Sequence, residues 1–525
     1  MFVKILECSD KRHPSPDGLL SWYPGVETAK ILGLFPTSSR SHYIVDSALM
    51  KALAERGHEV TVVSPFPQSK PLKNYRDVTT TDIWQASEPF ISNILNFNRK
   101  SPFANIMRIY NLGHAIVNST LNDPAVVKLI DSKEHFDLVI LEIFMTDAML
   151  GFAHHFKAPC IGISTFGASK WTNDLVGTPA PPSFVPNPFL SFTDHMSFGE
   201  RMINTVMSAA EVLIERVLDY PAQNEMYENS FPDPKPSLQE LKKSAVSLVL
   251  LNNHFSLSYP RPYATGMIEV GGMHINRSPK PLPDDIQRFM DNATDGIIYF
   301  SMGSNIKSKD LPPEKRQAFL NVFSKLKQKV LWKWEDDKLP SKPDNVRIQS
   351  WWPQDDILAH PNVRLFITHG GLLSTTESLY HGVPVIGIPV FGDQHLNMAK
   401  AERGGYGLSV AYQAISEERL STAIDAILND STFKQNAQAI SQRYRDQPQS
   451  PLELAVFWVE YIIRHKGAPH IRTAAMDLNF VQYHNLDIIA TLIVAPILII
   501  YLLSRLICRK RAPKNIRKND RKKRN

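Results

Sequence analysis

The chain has 525 residues, which is too long for one hydrophobic core and fits two domains with additional segments. Its net charge is +6, but residues 509–525 hold ten lysines and arginines against one aspartate, so this tail contributes +9 and the remainder −3. A near-neutral body excludes a nucleic-acid-binding face, which needs a basic stripe on a folded surface. The three cysteines, Cys8, Cys160 and Cys508, are too far apart in sequence for a disulfide framework or a paired-cysteine metal site.

Residues 1–29 are expected to be irregular, and residues 30–257 are predicted to form a first α/β domain. Residues 30–36 are a short apolar run typical of a buried strand, 41–56 have helical spacing, and 58–63 are a second strand. This βαβ opening predicts a parallel sheet. Later elements of this domain are predicted at 136–141, 160–164 and 247–252 as strands, and at 148–156 and 202–220 as helices.

A linker at 258–285 is predicted to lead into a second α/β domain at 286–450. Apolar runs at 297–300, 329–334, 346–349, 365–368 and 384–389 are predicted strands, separated by helices. The fold expected is therefore two doubly wound, Rossmann-like domains that face each other across a cleft, where such sheets bind ligands.

The C-terminal part is predicted to hold an amphipathic helix and a membrane anchor. Residues 451–465 have helical spacing and are expected to pack back on the interdomain surface, within a helix and stem at 451–486. Residues 487–508 are predicted to be a transmembrane helix, because its apolar run rises roughly 31 Å, about the thickness of the bilayer hydrocarbon. The basic tail, 509–525, is then cytoplasmic and the body lumenal.

Several weaker signals bear on the compartment. Lys522 and Lys523 resemble a dilysine retrieval signal of the endoplasmic reticulum, which predicts a single-pass protein of that membrane. A lumenal body requires a signal, yet residues 1–29 contain no apolar stretch long enough for a signal peptide. Either the C-terminal segment directs insertion or a signal sequence precedes the printed start, and the second is favoured. Glycosylation sequons, which predict a glycoprotein, occur at Asn118, Asn276, Asn292 and Asn429.

Candidate ligand-binding residues are most concentrated in residues 351–394. A predicted strand ends at His369-Gly370-Gly371, and a helix follows. Two glycines at such a turn let an anion approach the backbone, and the new helix offers free N–H groups. Ser301, Gly303 and Ser304 form a second turn of small residues after a strand. The pattern predicts a diphosphate site, and no Asp-x-Asp pair indicates a metal.

The combination over 351–394 resembles the signature of UDP-glycosyltransferases, the family that includes the glucuronosyltransferases, and looks closest to invertebrate members. The resemblance extends from Lys30 to the tail through PRP at 260–262, VGGMHI at 270–275 and RHKGA at 464–468. It implies a GT-B fold, a UDP-sugar co-substrate, no cofactor and no metal.

The resemblance also implies a role for each matching residue. Trp351 stacks on uracil beside Gln354, while Ser301, Ser304 and His369 contact the diphosphate. Glu377 accepts from the ribose hydroxyls, and Asp393 with Gln394 holds the donor sugar. One position departs from many vertebrate relatives: Leu373 replaces an Asn, so we expect a backbone N–H or the Ser374 hydroxyl to supply the missing contact.

Removing a proton from an acceptor hydroxyl calls for a base with a pKa near neutrality, which indicates a histidine. His42 follows the first strand, at the rim of the predicted cleft, and matches the catalytic base of the family. A carboxylate should fix its tautomer. Two candidates remain open, Glu142 at the family's position and Asp147 five residues later, and Asp147 is slightly preferred because the family uses Asp.

The acceptor pocket is expected from irregular segments at 84–110 and 179–207, whose apolar walls would suit a lipophilic alcohol or phenol. The family implies inversion at the anomeric carbon, and invertebrate resemblance favours glucose over glucuronate, as in detoxification or metabolite conjugation. Homo- and hetero-oligomers are both compatible with the sequence. The aromatic wall residues are Trp84, Phe90, Phe97, Phe103, Phe184, Phe189 and Phe192.

Parts of the sequence would also fit two other functions. An epimerase acting on a nucleotide sugar shares the fold class, but such enzymes are generally soluble, so the apolar C-terminal segment argues against it. A catalytically inactive carrier would keep the UDP site, but it would be expected to lose His42 or its carboxylate, and this chain keeps both.

Overall fold

The structure is a computed structural model that describes residues 28–92, 94–95 and 102–510. It divides into a large unit, Met1–Arg472, and a smaller one, Thr473–Asn525. The large unit contains two parallel sheets, each flanked by helices on both faces, so the predicted pair of doubly wound domains is confirmed.

The first sheet has seven parallel strands in the order β3-β2-β1-β4-β5-β6-β7. Its inner strands are continuous apolar runs because both faces are covered, as is usual in parallel sheets. Alternate residues enter different cores: Leu32 packs on one side of the sheet and Ile31 on the other. The strands are β1 Lys30–Leu34, β2 Glu59–Ser64, β3 Tyr75–Thr79, β4 Leu138–Glu142, β5 Cys160–Ser164, β6 Val246–Leu251 and β7 Met267–Glu269.

The second sheet has six parallel strands in the order β10-β9-β8-β11-β12-β13. Its inner strand β8 pairs with β11 and β9, and its two faces pack on separate apolar clusters. The strands are β8 Ile297–Ser301, β9 Lys329–Lys333, β10 Val346–Gln349, β11 Val363–Thr368, β12 Val385–Gly387 and β13 Gly407–Ser409.

Helices connect these strands and cover both sheets. The helix after β1, for example, turns an apolar face to the first sheet and buries Val45, Leu49 and Leu53. The helices are α1 Arg40–Glu55, α2 Ile83–Ile91, α3 Pro102–Leu121, α4 Pro124–Ile130, α5 Gly151–His155, α6 Lys170–Val176, α7 Phe198–Ile214, α8 Tyr220–Ser230, α9 Leu238–Ser244, α10 Asp284–Asp291, α11 Pro313–Lys325, α12 Gln354–Leu358, α13 Leu372–Tyr380, α14 Gln394–Arg403, α15 Glu417–Asn429, α16 Ser431–Arg445, α17 Pro451–Arg464, α18 Phe480–Tyr483 and α19 Leu486–Lys510.

Two expectations are corrected by the structure. Residues 84–110 are not wholly irregular, because most of their described part lies in α2 and α3. Pro89 inside α2 obscured the helical pattern, and tertiary packing outweighs the local cost of that proline. The predicted linker 258–285 contains strand β7, which adds to the edge of the first sheet beside β6.

Helix α17 packs on the first domain although it follows the second in sequence. Its residues Ala455, Val456, Val459 and Ile462 join the apolar cluster that also contains Leu49 of α1. Glu460 of the same helix accepts a hydrogen bond from Arg56 just after α1. The chain therefore crosses back to the first domain before it reaches the smaller unit.

The smaller unit contains α18 and α19 among its described residues. Residues Leu486–Ile507 of α19 have a mean hydropathy of 2.6, and none of this apolar stretch is buried. By length and composition it is the one helix in the described parts of the chain that could cross a membrane.

Candidate active site

The candidate site lies where the strand order of each sheet reverses direction. In the first sheet this switch point is between β1 and β4, and in the second it is between β8 and β11. Loops that leave the carboxyl ends of such neighbouring strands diverge and leave a crevice, which is the usual ligand position in open α/β sheets. His42 follows β1 and Glu142 ends β4, while Ser301 ends β8 and His369 follows β11.

One cavity of about 1290 Å³ brings the predicted donor residues together across the interdomain cleft. Gly370 is the exception, because it does not line the cavity, although its carbonyl accepts a hydrogen bond from Asn397 beneath it. The lining includes His42 from the first domain and, from the second, Ser301, Gly303, Ser304, Trp351, Gln354, His369, Gly371, Leu373, Ser374, Glu377, Asp393 and Gln394.

The two glycine turns are packed against the imidazole of His369. A Cβ on Gly371 would lie 2.5 Å from His369 Nε2, and a Cβ on Gly303, whose φ is +86°, would collide with the same ring. Gly371 is the N-cap of α13, so the free N–H groups of that helix begin at the cavity wall. Burial, aided by the charge of Lys333, lowers the pKa of His369 to about 4, so its imidazole is neutral.

Trp351 and a buried polar cluster form another part of the donor cavity. Trp351 leaves 46% of its surface exposed, which suits a ring that stacks on a ligand rather than on the core. Gln354 Nε2 donates to Ser374 Oγ over 3.0 Å and also to the Glu377 carboxylate. His274 is buried against this cluster, with Nε2 3.2 Å from Glu377 Oε1.

Asp393 and Gln394 face the cavity from the start of α14, and their hydrogen bonds differ. The Gln394 Oε1 atom accepts from the backbone N–H groups of Val390 and Phe391, so its side-chain NH₂ is the group left to meet a ligand. Asp393 accepts from Asn397 over 2.9 Å. Burial raises the pKa of Asp393, although the Asn397 hydrogen bond works in the opposite direction.

Lys333 and His274 are two of the residues of this cavity that sequence reasoning missed. Lys333 ends β9, is largely buried and pairs with Glu335 over 2.6 Å, placing a cation near His369. His274 was noticed only within the VGGMHI run, without a role. The signal that could have found Lys333 is its place at the carboxyl end of a strand next to β8, since residues there share the crevice.

His42 and Glu142 form a close, buried pair. The distance from His42 Nδ1 to Glu142 Oε1 is 2.6 Å, and the two side chains are 12% and 0% exposed. Thr37 Oγ1 donates to Glu142 Oε2 over 2.9 Å, and Thr165 Oγ1 donates to Oε1 over 3.4 Å. Because an ionised carboxylate only accepts, Nδ1 carries the proton and Nε2 is left as an acceptor.

The slight preference for Asp147 as the partner of His42 is corrected by this geometry. Asp147 lies in a 3₁₀ turn after β4, and its Oδ2 is 2.5 Å from Lys242 Nζ of α9. Lys242 also pairs with Glu215 over 2.7 Å. The chain turns away from the cleft between Glu142 and Asp147, so the second carboxylate joins a separate network of charges.

A second carboxyl group near the pair was not predicted. Asp46, one helical turn after His42 on α1, is completely buried, and neither of its oxygens has a hydrogen-bond partner. Burial, followed by the negative charge of Glu142, raises the pKa of Asp46 well above its usual value. The raised pKa favours the protonated form of Asp46, one helical turn from His42.

A second cavity of about 1340 Å³ meets the first at His42 and Asp393, which line both. Its walls are largely apolar and come mainly from loops and helices α2 and α3 of the first domain, with a smaller part from the second. Phe90 and Phe189 of the predicted wall line it, whereas Trp84, Phe184 and Phe192 do not, and Phe97 and the Phe103 side chain lie outside the described residues. The aromatic residues that sequence reasoning missed are Phe144, Phe166, Trp171, Tyr259, Tyr263 and Phe391.

No group of three or more His, Cys, Asp or Glu residues in the described segments is arranged to hold a metal ion.

Comparisons with known proteins agree with this arrangement. The family described as UDP-glucoronosyl and UDP-glucosyl transferase matches residues 29–522. UDP-glycosyltransferase UGT5 of Dactylopius coccus is 40% identical over 483 residues, covering 90% of both chains. UDP-glucosyltransferase 2 of the same organism is 37% identical, covering 89% of this chain and 90% of its own. Human UDP-glucuronosyltransferase 1A8 is 33% identical, covering 86% of each chain.

Among solved structures, the chain resembles the calicheamicin glycosyltransferase CalG4, with a TM-score of 0.54, 16% identity and coverage of 83% of this chain and 99% of that one. The spinosyn forosaminyltransferase SpnP gives a TM-score of 0.57 at 15% identity, covering 83% of this chain and 100% of the other. At such identities the likeness shows the GT-B fold alone. Taken with the family match along the whole chain, it follows that this protein belongs to the UDP-glucoronosyl and UDP-glucosyl transferase family and is a UDP-glycosyltransferase.

Proposed function

We propose that this enzyme transfers a hexosyl group, glucose in preference to glucuronate, from a UDP-sugar to a hydroxyl group of a small lipophilic acceptor, with inversion at the anomeric carbon. The observation that carries the proposal is the position of His42. Its side chain lines both cavities, and its Nδ1 atom is bound to a buried carboxylate while Nε2 remains an acceptor.

His42 acts as the general base. The acceptor hydroxyl gives its proton to Nε2 as its oxygen attacks the anomeric carbon, and the Glu142 carboxylate stabilises the imidazolium that forms. The threonine hydroxyls of Thr37 and Thr165 fix Glu142 in place, so the carboxylate needs little reorganisation during the reaction. A single direct displacement converts a UDP-α-sugar into a β-glycoside.

The donor cavity supplies the leaving-group stabilisation. The N–H groups at the start of α13, with Ser301, Ser304 and the neutral His369, contact the diphosphate, and Lys333 adds a positive charge nearby. Trp351 stacks on uracil beside Gln354, and Glu377 accepts from the ribose. These parts bind the diphosphate without a metal.

Asp393 and Gln394 hold the sugar by complementary hydrogen bonds. The Asp393 oxygens accept from sugar hydroxyls, while the free NH₂ of Gln394 donates to a sugar oxygen. The preference for glucose over glucuronate rests on the resemblance of the chain to invertebrate members of the family. The relatives from Dactylopius, one of them named a glucosyltransferase, point the same way.

The second cavity takes the acceptor. Its aromatic walls around His42, including Phe166 at 4.9 Å and Phe144 at 5.8 Å between ring centroids, suit a flat lipophilic alcohol or phenol. Such an acceptor is consistent with a role in detoxification or metabolite conjugation. The apolar stretch of α19 supports a single-pass anchor, with the catalytic body in the lumen of the endoplasmic reticulum and the basic tail in the cytoplasm.

The test is microsomal turnover by the full chain expressed with a supplied signal peptide. Radiolabelled UDP-glucose and UDP-glucuronate are offered with a panel of phenols and steroids, and His42→Ala is measured beside the wild type. His135→Ala is the matched control, because His135 is 69% exposed on the surface. We expect transfer from UDP-glucose, lost by about 10²-fold or more in His42→Ala and retained in His135→Ala.

UDP binding, measured separately by calorimetry, should be unchanged in His42→Ala. If UDP binds but no acceptor is glycosylated by the wild type, the protein is a carrier. Faster transfer from UDP-glucuronate would reverse the donor preference.

A further inference from the structure

The N-terminus of α1, two residues before His42, differs from the N-termini of three other helices that begin after a serine. Ser39 occupies the N-cap position, but its side chain does not accept a hydrogen bond from the first turn. Ser197, Ser416 and Ser450, by contrast, each cap their own helix by accepting from the residue three positions on. A serine in this position normally stabilises its helix, so Ser39 is used for something else.

The Ser39 hydroxyl instead contacts the second domain. Asn305 Nδ2 donates to Ser39 Oγ over 3.1 Å, across 266 positions of sequence. Asn305 directly follows Ser304, one of the proposed diphosphate contacts, and lines both cavities. The residue that begins the helix of the base is thus hydrogen-bonded to the loop that meets the phosphates.

Arg40 makes a second contact of the same kind. Its guanidinium carbon lies 4.9 Å from the ring centroid of Trp351, the proposed uracil platform. As the first residue of α1, this cation lies at the positive end of the helix dipole, which is electrostatically unfavourable. Two adjacent residues therefore forgo local helix stabilisation and contact the two parts of the nucleotide site, a pattern that marks functional positions.

We propose that Ser39 and Arg40 are positioning residues that couple occupancy of the nucleotide site to the placement of His42. The inference rests on the proposed roles of Trp351 and His42. Uracil stacked on Trp351 and phosphates held beside Ser304 restrain the ring and the Asn305 loop. Because α1 is one rigid element, restraint at Ser39 and Arg40 reaches His42 within one helical turn.

This coupling implies an order of events in the transfer reaction, in which donor binding precedes the final placement of His42. Without nucleotide, Trp351 and the Asn305 loop move more freely and hold the start of α1 less firmly. Once the donor is bound, the base is held in line between the two cavities. A single cation–π contact of this kind changes an equilibrium constant by about two- to fivefold, so the two contacts together can supply a coupling of about tenfold.

The test measures hydrogen exchange of the backbone amides in residues 37–45 of the full-length protein in detergent, with and without UDP. Ser41, His42, Ile44 and Val45 of this segment also line the donor cavity, so slower exchange reports the coupling only if it is lost in variants that leave these four residues intact. We expect UDP to slow exchange about fivefold or more in the wild type, and to have little effect in Arg40→Met or Asn305→Ala.

Arg40→Lys should keep most of the protection because it keeps the cation. Arg419→Met is the matched control, since Arg419 is another exposed arginine in the first turn of a helix, α15, and should behave as the wild type. In transfer assays Arg40→Met should lower kcat by about tenfold while the donor KM changes less than about threefold. A purely structural role would not produce this split.

Two results would overturn the inference. One is full UDP protection of residues 37–45 in Arg40→Met. The other is tighter UDP binding by Arg40→Met, which would mean that the guanidinium occupies the ring face that uracil needs. A wild type that shows UDP protection of this segment but glycosylates no acceptor would uphold the coupling and refute the proposed function.

Discussion

The two switch points of this enzyme have the same backbone plan and opposite chemistry. In each sheet a strand is flanked by two neighbours whose connections leave in different directions, β1 with β4 in the first and β8 with β11 in the second. The first switch point holds ionisable side chains, His42, Glu142 and Asp46, most of them buried. The second holds glycines, small hydroxyls and a helix N-terminus around the neutral imidazole of His369, with Lys333 nearby.

The difference shows how one architecture is adapted to two tasks. A proton transfer needs side chains whose protonation states differ, and these are placed by burial and by specific partners. An anion is bound by backbone N–H groups, and these require the absence of side chains, which glycine supplies at Gly303 and Gly371. Substitutions at the first switch point should therefore affect turnover, and those at the second should affect donor affinity.

Among variants that test this difference between the two switch points, Glu142→Gln should have the largest effect, which is a loss of kcat. The amide can donate to His42 Nδ1, which would move the proton to Nε2 and remove the acceptor that the base needs. We expect kcat to fall by about 10²-fold or more, with UDP affinity unchanged. Asp147→Asn, which touches Lys242 instead, should leave kcat within about threefold. An equal loss of kcat in both variants would contradict the assignment.

Gly371→Ala tests the second switch point. The new Cβ would lie 2.5 Å from His369 Nε2, so the ring or the start of α13 must shift away from the phosphates. We expect the Kd for UDP, measured by calorimetry, to rise by at least about tenfold. Gly199→Ala is a suitable control, because nothing lies within 4 Å of its added Cβ. Unchanged UDP affinity in Gly371→Ala would show that close backbone approach is not needed.

Asp46→Asn tests how the buried Asp46 carboxyl group at the first switch point affects thermal stability. Because folding raises the pKa of Asp46, the folded state holds a proton that the unfolded chain loses, and this lowers stability as the pH rises above the unfolded value. The variant lacks this penalty. Its Tm should exceed that of the wild type by about 2 °C at pH 7.5 and match it near pH 4.

The exposed Asp425→Asn on α15 should show no such dependence on pH. If Asp46→Asn were less stable than the wild type at pH 7.5, an ionised Asp46 with an unrecognised partner would be indicated.

The smallest effect is expected on the free energy of unfolding, when the serines at two helix N-caps are each replaced by alanine. Ser416→Ala removes the hydroxyl that caps α15 and should reduce the free energy of unfolding by about 1 kcal/mol. Ser39→Ala removes a hydroxyl that does not cap α1 and should cost less than about half of that, measured by urea unfolding. A larger cost for Ser39→Ala would show that it supports the helix after all.

The sequence was most informative where structure is local. The inner strands were predicted because burial on both faces leaves continuous apolar runs, as in β4 and β6. The three strands that were missed, β3, β7 and β13, all lie at sheet edges, where one side is open and the run is short or partly polar. The sequence pattern is weak for such strands, because pairing with the neighbouring strand defines them, although the edge strand β10 was predicted at 346–349.

The candidate site follows the same rule. The residues of the donor cavity are nearly contiguous from Trp351 to Gln394, so their combination could be read directly. The His42–Glu142 pair joins residues 100 positions apart, and choosing between Glu142 and Asp147 required the direction in which the chain turns after β4. Lys333 and Asp46 escaped notice because each sits in a run that is otherwise ordinary core.

The return of α17 to the first domain has a consequence for biosynthesis. One face of the first sheet and α1 is covered by Ala455, Val456, Val459 and Ile462, which are made only after the whole second domain. The ribosome therefore releases the second domain before this one face of the first domain can be covered. Until then an apolar surface of the early domain stays open to chaperones, and a stop codon anywhere before residue 451 would leave it permanently uncovered.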